Sequence, residues 1–226
     1  MKTVFITGGT GYMGRRLIQQ LLQRGHRVIA LIRAGSEGKV PPDAEWVVAN
    51  PFSAESFAHY IPFGSVFVQL LGVAHPSPAK AFRQIDLLSV HESVRAAQMA
   101  GVSNFVYVSV AQEPTRIMQA YQQVRQMGET MARQSGLNCT FLRPWYVVGP
   151  GHWWPLLLLP LYGVAELIPA VRHKARVLGL VTLRQMIRAL LTAIECQPAT
   201  LTIADVPAIR SGNIHSLLPA SDCATV

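Results

Sequence analysis

The stretch TGGTGYMG, residues 7–14, constrains this chain more than any other. It follows a short β-branched run, KTVFIT from Lys2 to Thr7. It opens a segment, Tyr12 to Arg24, whose Leu17, Ile18, Leu21 and Leu22 fall on one helical face. Gly8, Gly11 and Gly14 stand at GxxGxxG spacing. A chain that turns from strand to helix so abruptly needs positions without side chains. The same positions let a diphosphate approach the backbone, where the free N–H groups and positive dipole end of the helix meet it. Strand, glycine turn and helix in that order predict an α/β fold with an anionic pyrophosphate ligand.

The rest of the chain repeats the alternation. HRVIALIR is a second strand closing at Arg33, AGSEGKVPPD a loop, and EWVVAN a third strand. SAESFAHYI reads as a short helix capped by Ser53, and SVFVQLLG as a fourth strand. A helix from about Ala79 to Ala100 ends at Gly101. NFVYVSV is a fifth strand, a helix runs from near Ile117 to Gln134, and NCTFLRP is a sixth strand. The strands are continuous apolar runs, so both faces of the sheet are covered and the sheet is parallel. Right-handed crossovers then give a Rossmann-type, doubly wound sheet in a single domain. Residues 1–150 form this dinucleotide-binding core. Residues 151–210 add a small C-terminal annex: an apolar segment, RVLGL, the helix TLRQMIRALLTAIE and the strand TLTIADV. Residues 211–226 read as a weakly ordered tail.

Composition narrows the partners. The formal charge is +8 with a pI near 9.9, and half the residues are hydrophobic while 14% are charged. Such a chain favours anionic ligands and carries an apolar surface or a large apolar pocket. It has no run of five lysines or arginines and no aromatic-basic interleaving, so nucleic acid is not expected. No His, Cys, Asp and Glu cluster has metal-ligand spacing, so no metal is expected. No Gly-x-Ser-x-Gly elbow points to a serine hydrolase. Cys139, Cys196 and Cys223 form no CxxC, and their odd count fits reduced thiols. The start MKTVFITGG lacks a signal peptide's apolar core and cleavage site, and the expected location is cytoplasmic. The most apolar run, Trp153 to Pro169, is short of the roughly 20 residues a bilayer span takes. It carries Glu166 and is broken by Pro155, Pro160 and Pro169. It reads as a pocket wall or subunit contact, with shallow membrane or protein contact through 153–169 as the second reading and homo-oligomerisation left open.

The end of the second strand bears on which dinucleotide is bound. NAD binders commonly place an acid there for the ribose hydroxyls. Here Arg33 stands at that place, and Arg15 and Arg16 follow the third glycine. Forked cations suit a 2′-phosphate, which favours NADP over NAD.

TGGTGYMG, FVYVSV, YQQVR and LRPWYVVGPG occur in an order and spacing that resembles the short-chain dehydrogenase/reductase superfamily, in its atypical and extended NAD(P)-binding, epimerase- and dehydratase-like branch. The likeness covers residues 1 to about 150 well and the remainder loosely. It implies that Gly8, Gly11 and Gly14 cradle the pyrophosphate, with Thr10, Tyr12 and Met13 lining the same turn. It implies that Leu71 and Gly72 pass near the adenosine ribose. It also implies that Ser109 lies beside the nicotinamide ribose and that Pro144, Trp145, Tyr146 and Val147 run along the nicotinamide. Tyr121 matches the catalytic tyrosine, and Arg125 takes the place of the usual lysine. The sequence departs from the pattern in that Tyr-x-x-x-Lys becomes Tyr-x-x-x-Arg. Val110 falls where the active serine is expected, and Asn50 where an Asp ends the third strand.

Tyr121 and Arg125, four residues apart on one helix face, therefore have two readings. A tyrosine exchanging a proton near neutrality needs a stabilised phenolate, which a cation supplies. Arginine keeps the field but does not readily release a proton. The pair is an acid with an impaired relay, or a relic in a protein that binds the cofactor without turnover. His75, His152, Trp153 and Trp154 are candidate substrate-pocket residues. Glu129, eight residues after Tyr121, pairs with a neighbouring arginine in this reading and is not catalytic. The first functional expectation is an NADP(H)-dependent oxidoreductase on a small apolar carbonyl compound, with residues 145–169 as its substrate wall. The alternative is a catalytically degenerate NADP-sensing or assembly protein. The third, behind these, is a sugar-nucleotide epimerase or dehydratase, because such enzymes usually carry a larger C-terminal domain.

Overall fold

In the computed structural model, residues 1–73, 79–115, 118–158, 160, 167–196 and 200–214 are described. Seven parallel strands form the main sheet: β1 Thr3–Thr7, β2 Arg27–Ile32, β3 Glu45–Val48, β4 Val66–Gln69, β5 Asn104–Val108, β6 Cys139–Arg143 and β9 Leu201–Asp205. Their order is β3-β2-β1-β4-β5-β6-β9, so the winding reverses between β1 and β4. A separate parallel pair joins β7, Tyr146–Val148, to β8, Leu180–Thr182. The expected six strands are present, and TLTIADV extends the sheet as a seventh, Cys139 to Arg143 lying beside Leu201 to Asp205.

Why the sheet is parallel is visible in which residues face which way. Along β1, Val4 and Ile6 join one core while Phe5 joins the other; along β2, Val28, Ala30 and Ile32 part in the same way from Ile29 and Leu31. Successive side chains of a strand point to opposite faces. Strands apolar at every position therefore need a layer of helices on each side. The first core is closed by α1, Tyr12–Gln23, and by α6, Leu183–Glu195. The second is closed by α3, Leu88–Ala100, with the Phe57 and Ile61 turns. The start of α6 is fixed by a capping box, the Thr182 hydroxyl accepting from the Gln185 amide and the Gln185 side chain accepting from the Thr182 amide.

Elements near the switch point depart from a simple alternation. The helix expected over residues 53–61 is two single 3₁₀ turns, Ala54–Ser56 and Ala58–Tyr60, and the Ser53 side chain does not cap them. The buried carboxylate of Glu92 accepts from the Ala54 amide instead, at 2.9 Å. The helix expected from Ala79 to Ala100 begins with a single turn, α2, Ala79–Ala81. It passes through a π-helical segment, Phe82–Leu87, before α3. Helix α4 runs Gln119–Gln134 behind Met118, whose φ of 61° is left-handed. Beyond the core, α5 spans Pro169–Val177 and α7 spans Val206–Ser211. The tail expected from residue 211 begins too early, because Ile214 is fully buried in the first core. Cys139 is a free buried thiol, as expected of it. Among the described residues, no helix is long and apolar enough to cross a membrane.

Candidate dinucleotide site

A cleft of about 360 Å³ opens at the carboxyl ends of β1 and β4, where the winding reverses. Ligands of open α/β sheets bind at such a point. One wall is the glycine turn with Tyr12 and Met13. The opposite wall holds Tyr121, Arg125, Trp145, Tyr146 and Val147, and the floor carries Leu70, Gly72 and Val73.

The glycines of the turn have steric causes. Gly8 has a φ of +70°, and a Cβ there would lie 2.7 Å from the Leu71 nitrogen. A Cβ on Gly14 would run into the Gly8 carbonyl oxygen and sit 2.7 Å from the Gly9 Cα. The backbone folds back on itself here, the Gly11 amide donating to the Gly8 carbonyl at 3.0 Å. Gly11 is the N-cap of α1 and offers no side-chain cap, and the first turn carries no acid. The first-turn amides and the positive end of the helix dipole are thus left for a ligand. These features fit a dinucleotide diphosphate.

Tyr12 packs its ring at 5.2 Å from His152, and Arg16 lies over it at 4.8 Å. Its hydroxyl is buried without a hydrogen-bond partner, and burial pushes its pKa up against the pull of Arg16. A Cβ on Gly149 would approach that hydroxyl to 2.5 Å, which is why the chain entering the annex passes so close to it.

At the far end, Tyr121 and Arg125 do face the cleft. Arg125 is buried, its Cζ lying 5.0 Å from the Tyr121 ring centroid and 5.7 Å from that of Tyr107. Its Nη2 donates to Asp86 Oδ1 at 2.5 Å and its Nη1 to the Val108 carbonyl at 3.0 Å. Arg125 is thus a buried partner and not a solvated cation. Burial opposes its charge, yet Tyr121, Tyr107 and Asp86 together hold its pKa above the ordinary value. Burial holds the Asp86 carboxyl above its ordinary value, although Arg125 and the Val73 amide pull the other way. Burial also pushes the Tyr107 phenol up to about 12.

Asp86 was not legible in the sequence. It comes from the π-helical segment, 39 residues before its partner. A lone acid in the apolar run FRQIDLLSV was the only signal. A second missed group is Gln69 at the end of β4. It is buried, accepts from the hydroxyls of Thr7 and Ser93, and donates to the Leu71 carbonyl at 3.4 Å. It ties β1 and α3 to the strand end that floors the cleft.

The remaining expected residues divide. Leu71, Thr10 and Arg15 lie beside the cleft without lining it; Leu70 and Val73 do that work around Gly72. Ser109 is buried with its hydroxyl unpartnered, and its amide donates to the Leu142 carbonyl at 2.8 Å. It does not reach the lining, nor does Val110, which is buried in the first core. Pro144 is also off the lining, its carbonyl accepting from the Ala111 amide at 3.0 Å. Arg33 is exposed at the end of β2, as is Arg15 on α1. His152 lines the cleft, whereas Trp153 is 57% exposed, neither a stacked core residue nor a pocket residue. Trp154 opens a 3₁₀ turn, Trp154–Leu158. His75 lies outside the described residues. The substrate wall expected from 145 to 169 shrinks to Trp145, Tyr146, Val147, His152 and Pro155 among the described residues; Leu157 and Leu167 are exposed. Glu129 is buried and pairs with Arg143 at 2.6 Å and Arg133 at 3.0 Å, a structural role.

A doubly wound parallel sheet with a tight glycine turn at its switch point is the architecture of a dinucleotide-binding Rossmann domain. The comparison with known families agrees. Residues 8–149 match the model of the NAD(P)H-binding family, and the chain belongs to it. It is 26% identical over 181 residues to a ceramide reductase of Caulobacter vibrioides, covering 77% of this chain and 55% of that protein. It is 26% identical over 144 residues to the photosystem II assembly factor Ycf39 of Synechocystis, covering 62% of this chain and 43% of that one. The chain thus spans about half the length of these curated relatives. Among solved structures, MoeE5 in complex with UDP-glucose and NAD superposes with a TM-score of 0.67 at 16% identity, over 99% of this chain and 85% of that one. The expectation of a small apolar substrate is corrected by these structures. MoeE5 is solved with UDP-glucose, and other structures sharing the fold are UDP-sugar epimerases, proteins of nucleotide-linked rather than small apolar ligands.

Proposed function

We propose that this chain is a dinucleotide-holding protein whose proton relay has been replaced, acting by binding NAD(P) rather than by reducing carbonyl compounds. One observation carries this reading: the residue at the place of the superfamily's lysine is an arginine, buried and committed to Asp86 and the Val108 carbonyl. An arginine so held neither releases a proton nor swings toward a ligand. Val110, at the place of the active serine, supplies no hydroxyl. Gly8, Gly11 and Gly14 hold the diphosphate against the first turn of α1. Tyr121, Arg125, Trp145, Tyr146 and Val147 enclose the nicotinamide half and exclude water from it. The bound cofactor supplies hydride chemistry in proteins that turn it over; here this chain's residues bind and orient it. Arg33 and Arg15, exposed beside the adenosine side and carrying no side-chain partner among the described residues, favour NADP. The likeness to Ycf39, an assembly factor, and to a subunit of NADH dehydrogenase of Dictyostelium discoideum supports a holding or assembly role.

A second reading is a sugar-nucleotide epimerase or dehydratase. The structural likeness to UDP-sugar epimerases favours it. So does an open, polar hollow lined by Gln119, Gln122, Gln123, Gln126 and Lys174, which suits hydroxyl-rich ligands better than apolar ones. Calorimetric titration with NADP, NADPH, NAD and NADH, followed by incubation of the loaded protein with UDP-glucose, UDP-galactose and UDP-glucuronic acid, separates the readings. Micromolar dinucleotide binding with no sugar conversion is expected. Interconversion of any UDP-sugar replaces the first reading by the second, and absence of dinucleotide binding at millimolar concentration removes both.

A further inference from the structure

Behind the Tyr121 end of the cleft lies an acid that holding a diphosphate does not require. Asp86 is fully buried. Its Oδ1 contacts Arg125 Nη2 at 2.5 Å, and its Oδ2 accepts from the Val73 amide at 3.2 Å. The pair is set against Gly72, where a Cβ would lie 2.7 Å from Asp86 Oδ1 and closer still to Arg125 Nη2. The other titratable groups facing it are Tyr107 and Tyr121. Burying an ion is costly unless it is paired and hydrogen-bonded, and this geometry meets both conditions. A guanidinium keeps its proton at any ordinary pH, and an ionised carboxylate in direct contact with it cancels that charge.

The inference rests on the reading that the cleft holds NAD(P). In a sheet wound outward from its switch point, the adenosine half lies toward β2 and the nicotinamide half toward β4, β5 and β6. That second half is lined by Tyr121, Arg125 and Trp145 to Val147. The oxidised nicotinamide ring carries a positive charge and the reduced ring carries none. An arginine standing alone there would repel the oxidised form and leave the reduced form untouched.

We infer that Asp86 is a positioning residue that neutralises Arg125 at the nicotinamide end of the cleft and so sets its preference between oxidised and reduced dinucleotide. At an effective dielectric of about 20, one uncompensated unit charge several ångströms from the ring changes affinity by about tenfold or more. The role belongs to Asp86 through Arg125; it touches no reacting atom.

The test compares the dissociation constants of NADP and NADPH, and of NAD and NADH, for the wild-type protein, Asp86→Asn, and the charge-compensated double variant Asp86→Asn/Arg125→Gln. Asp86→Asn is expected to weaken the oxidised form about tenfold relative to the reduced form. The double variant returns the ratio to within about twofold of wild type, which a loss of packing would not do. A ratio unchanged in Asp86→Asn, or one still shifted in the double variant, overturns the inference. Where Asp86→Asn does not fold, Arg125→Met carries the test. It leaves the carboxyl uncompensated, and raising the pH from 6 to 9 then ionises Asp86 and moves the ratio toward the oxidised form. A ratio flat with pH in that variant overturns the inference equally. If no form binds the wild-type protein, it is the cleft reading that fails, a result distinct from any of these.

Discussion

Gly72 and Arg125 occupy mutually exclusive space: any side chain on Gly72 would enter the guanidinium of Arg125 and crowd Asp86. The glycine is therefore needed for a reason unrelated to backbone conformation, since it leaves room for a buried ion pair arriving from two helices. Gly72→Ala is expected to cost about 2 kcal/mol or more, because separating a buried pair leaves an uncompensated charge. For a chain of this size that lowers Tm by roughly 4–8 °C. A thermal melt of the variant beside wild type checks it. A melt within 1–2 °C of wild type means that the pair shifts without loss.

The diphosphate turn separates two kinds of glycine. Gly14→Ala drives a methyl into the Gly8 carbonyl and should cost at least about tenfold in dinucleotide affinity, since the turn must open. Gly25 is a control with the opposite logic. Its φ is +75° but nothing lies within 4 Å of a Cβ there. Gly25→Ala is expected to cost about 1 kcal/mol of stability and to leave nucleotide affinity unchanged. Titration of both variants with NADP and NAD, together with their melts, distinguishes a site effect from a conformational one.

These contrasts mark what the sequence makes legible. The sheet and its crossovers are local matters: apolar runs of strand length, helices ended by Gly101 and Gly136, and a glycine turn in one continuous stretch. What decides the chemistry is not local. From its helix spacing Arg125 reads only as a cation beside Tyr121, and the arrival of Asp86 from a different helix makes it half of a buried pair. Ser109 is a site residue by the resemblance, but its side chain is buried and does not line the cleft. The segment 53–61 reads as a helix from its cap-like serine. At nine residues it is too short to nucleate one unaided, and the contact with Glu92 holds it as two 3₁₀ turns. The exposed Leu157 and Leu167 read as pocket wall because hydropathy alone does not say which face is covered.

Arg33 tests the proposed preference for NADP. It stands exposed directly after β2, where an acid would select an unphosphorylated ribose. If it holds the 2′-phosphate, Arg33→Ala weakens NADP by about tenfold and leaves NAD within about twofold, the loss expected for a charge-assisted contact. Part of the wild-type preference should also fall as salt rises, because exposed charges are screened. An NADP/NAD ratio that Arg33→Ala leaves unchanged removes Arg33 from the site and makes NAD the better candidate.

Acid stability reports on Glu92. Burial alone would raise its pKa, but the Ala54 amide, His91 and Arg95 outweigh it and hold the carboxyl below the ordinary value. A group whose folded pKa is depressed binds its proton more readily in the unfolded chain. Its contribution is therefore full above the unfolded pKa of about 4.5 and is lost as the pH falls through the folded value. Glu92→Gln removes this dependence and leaves the Ala54 amide with a weaker, neutral acceptor. The variant should be less stable than wild type by about 1–2 kcal/mol at pH 7. The gap should narrow steadily as the pH is lowered below about 4.5, since wild type loses there what the variant never had. Urea unfolding of both proteins at intervals between pH 3 and 7 measures it. Parallel curves with a constant gap would mean that Glu92 contributes through packing and not through its charge.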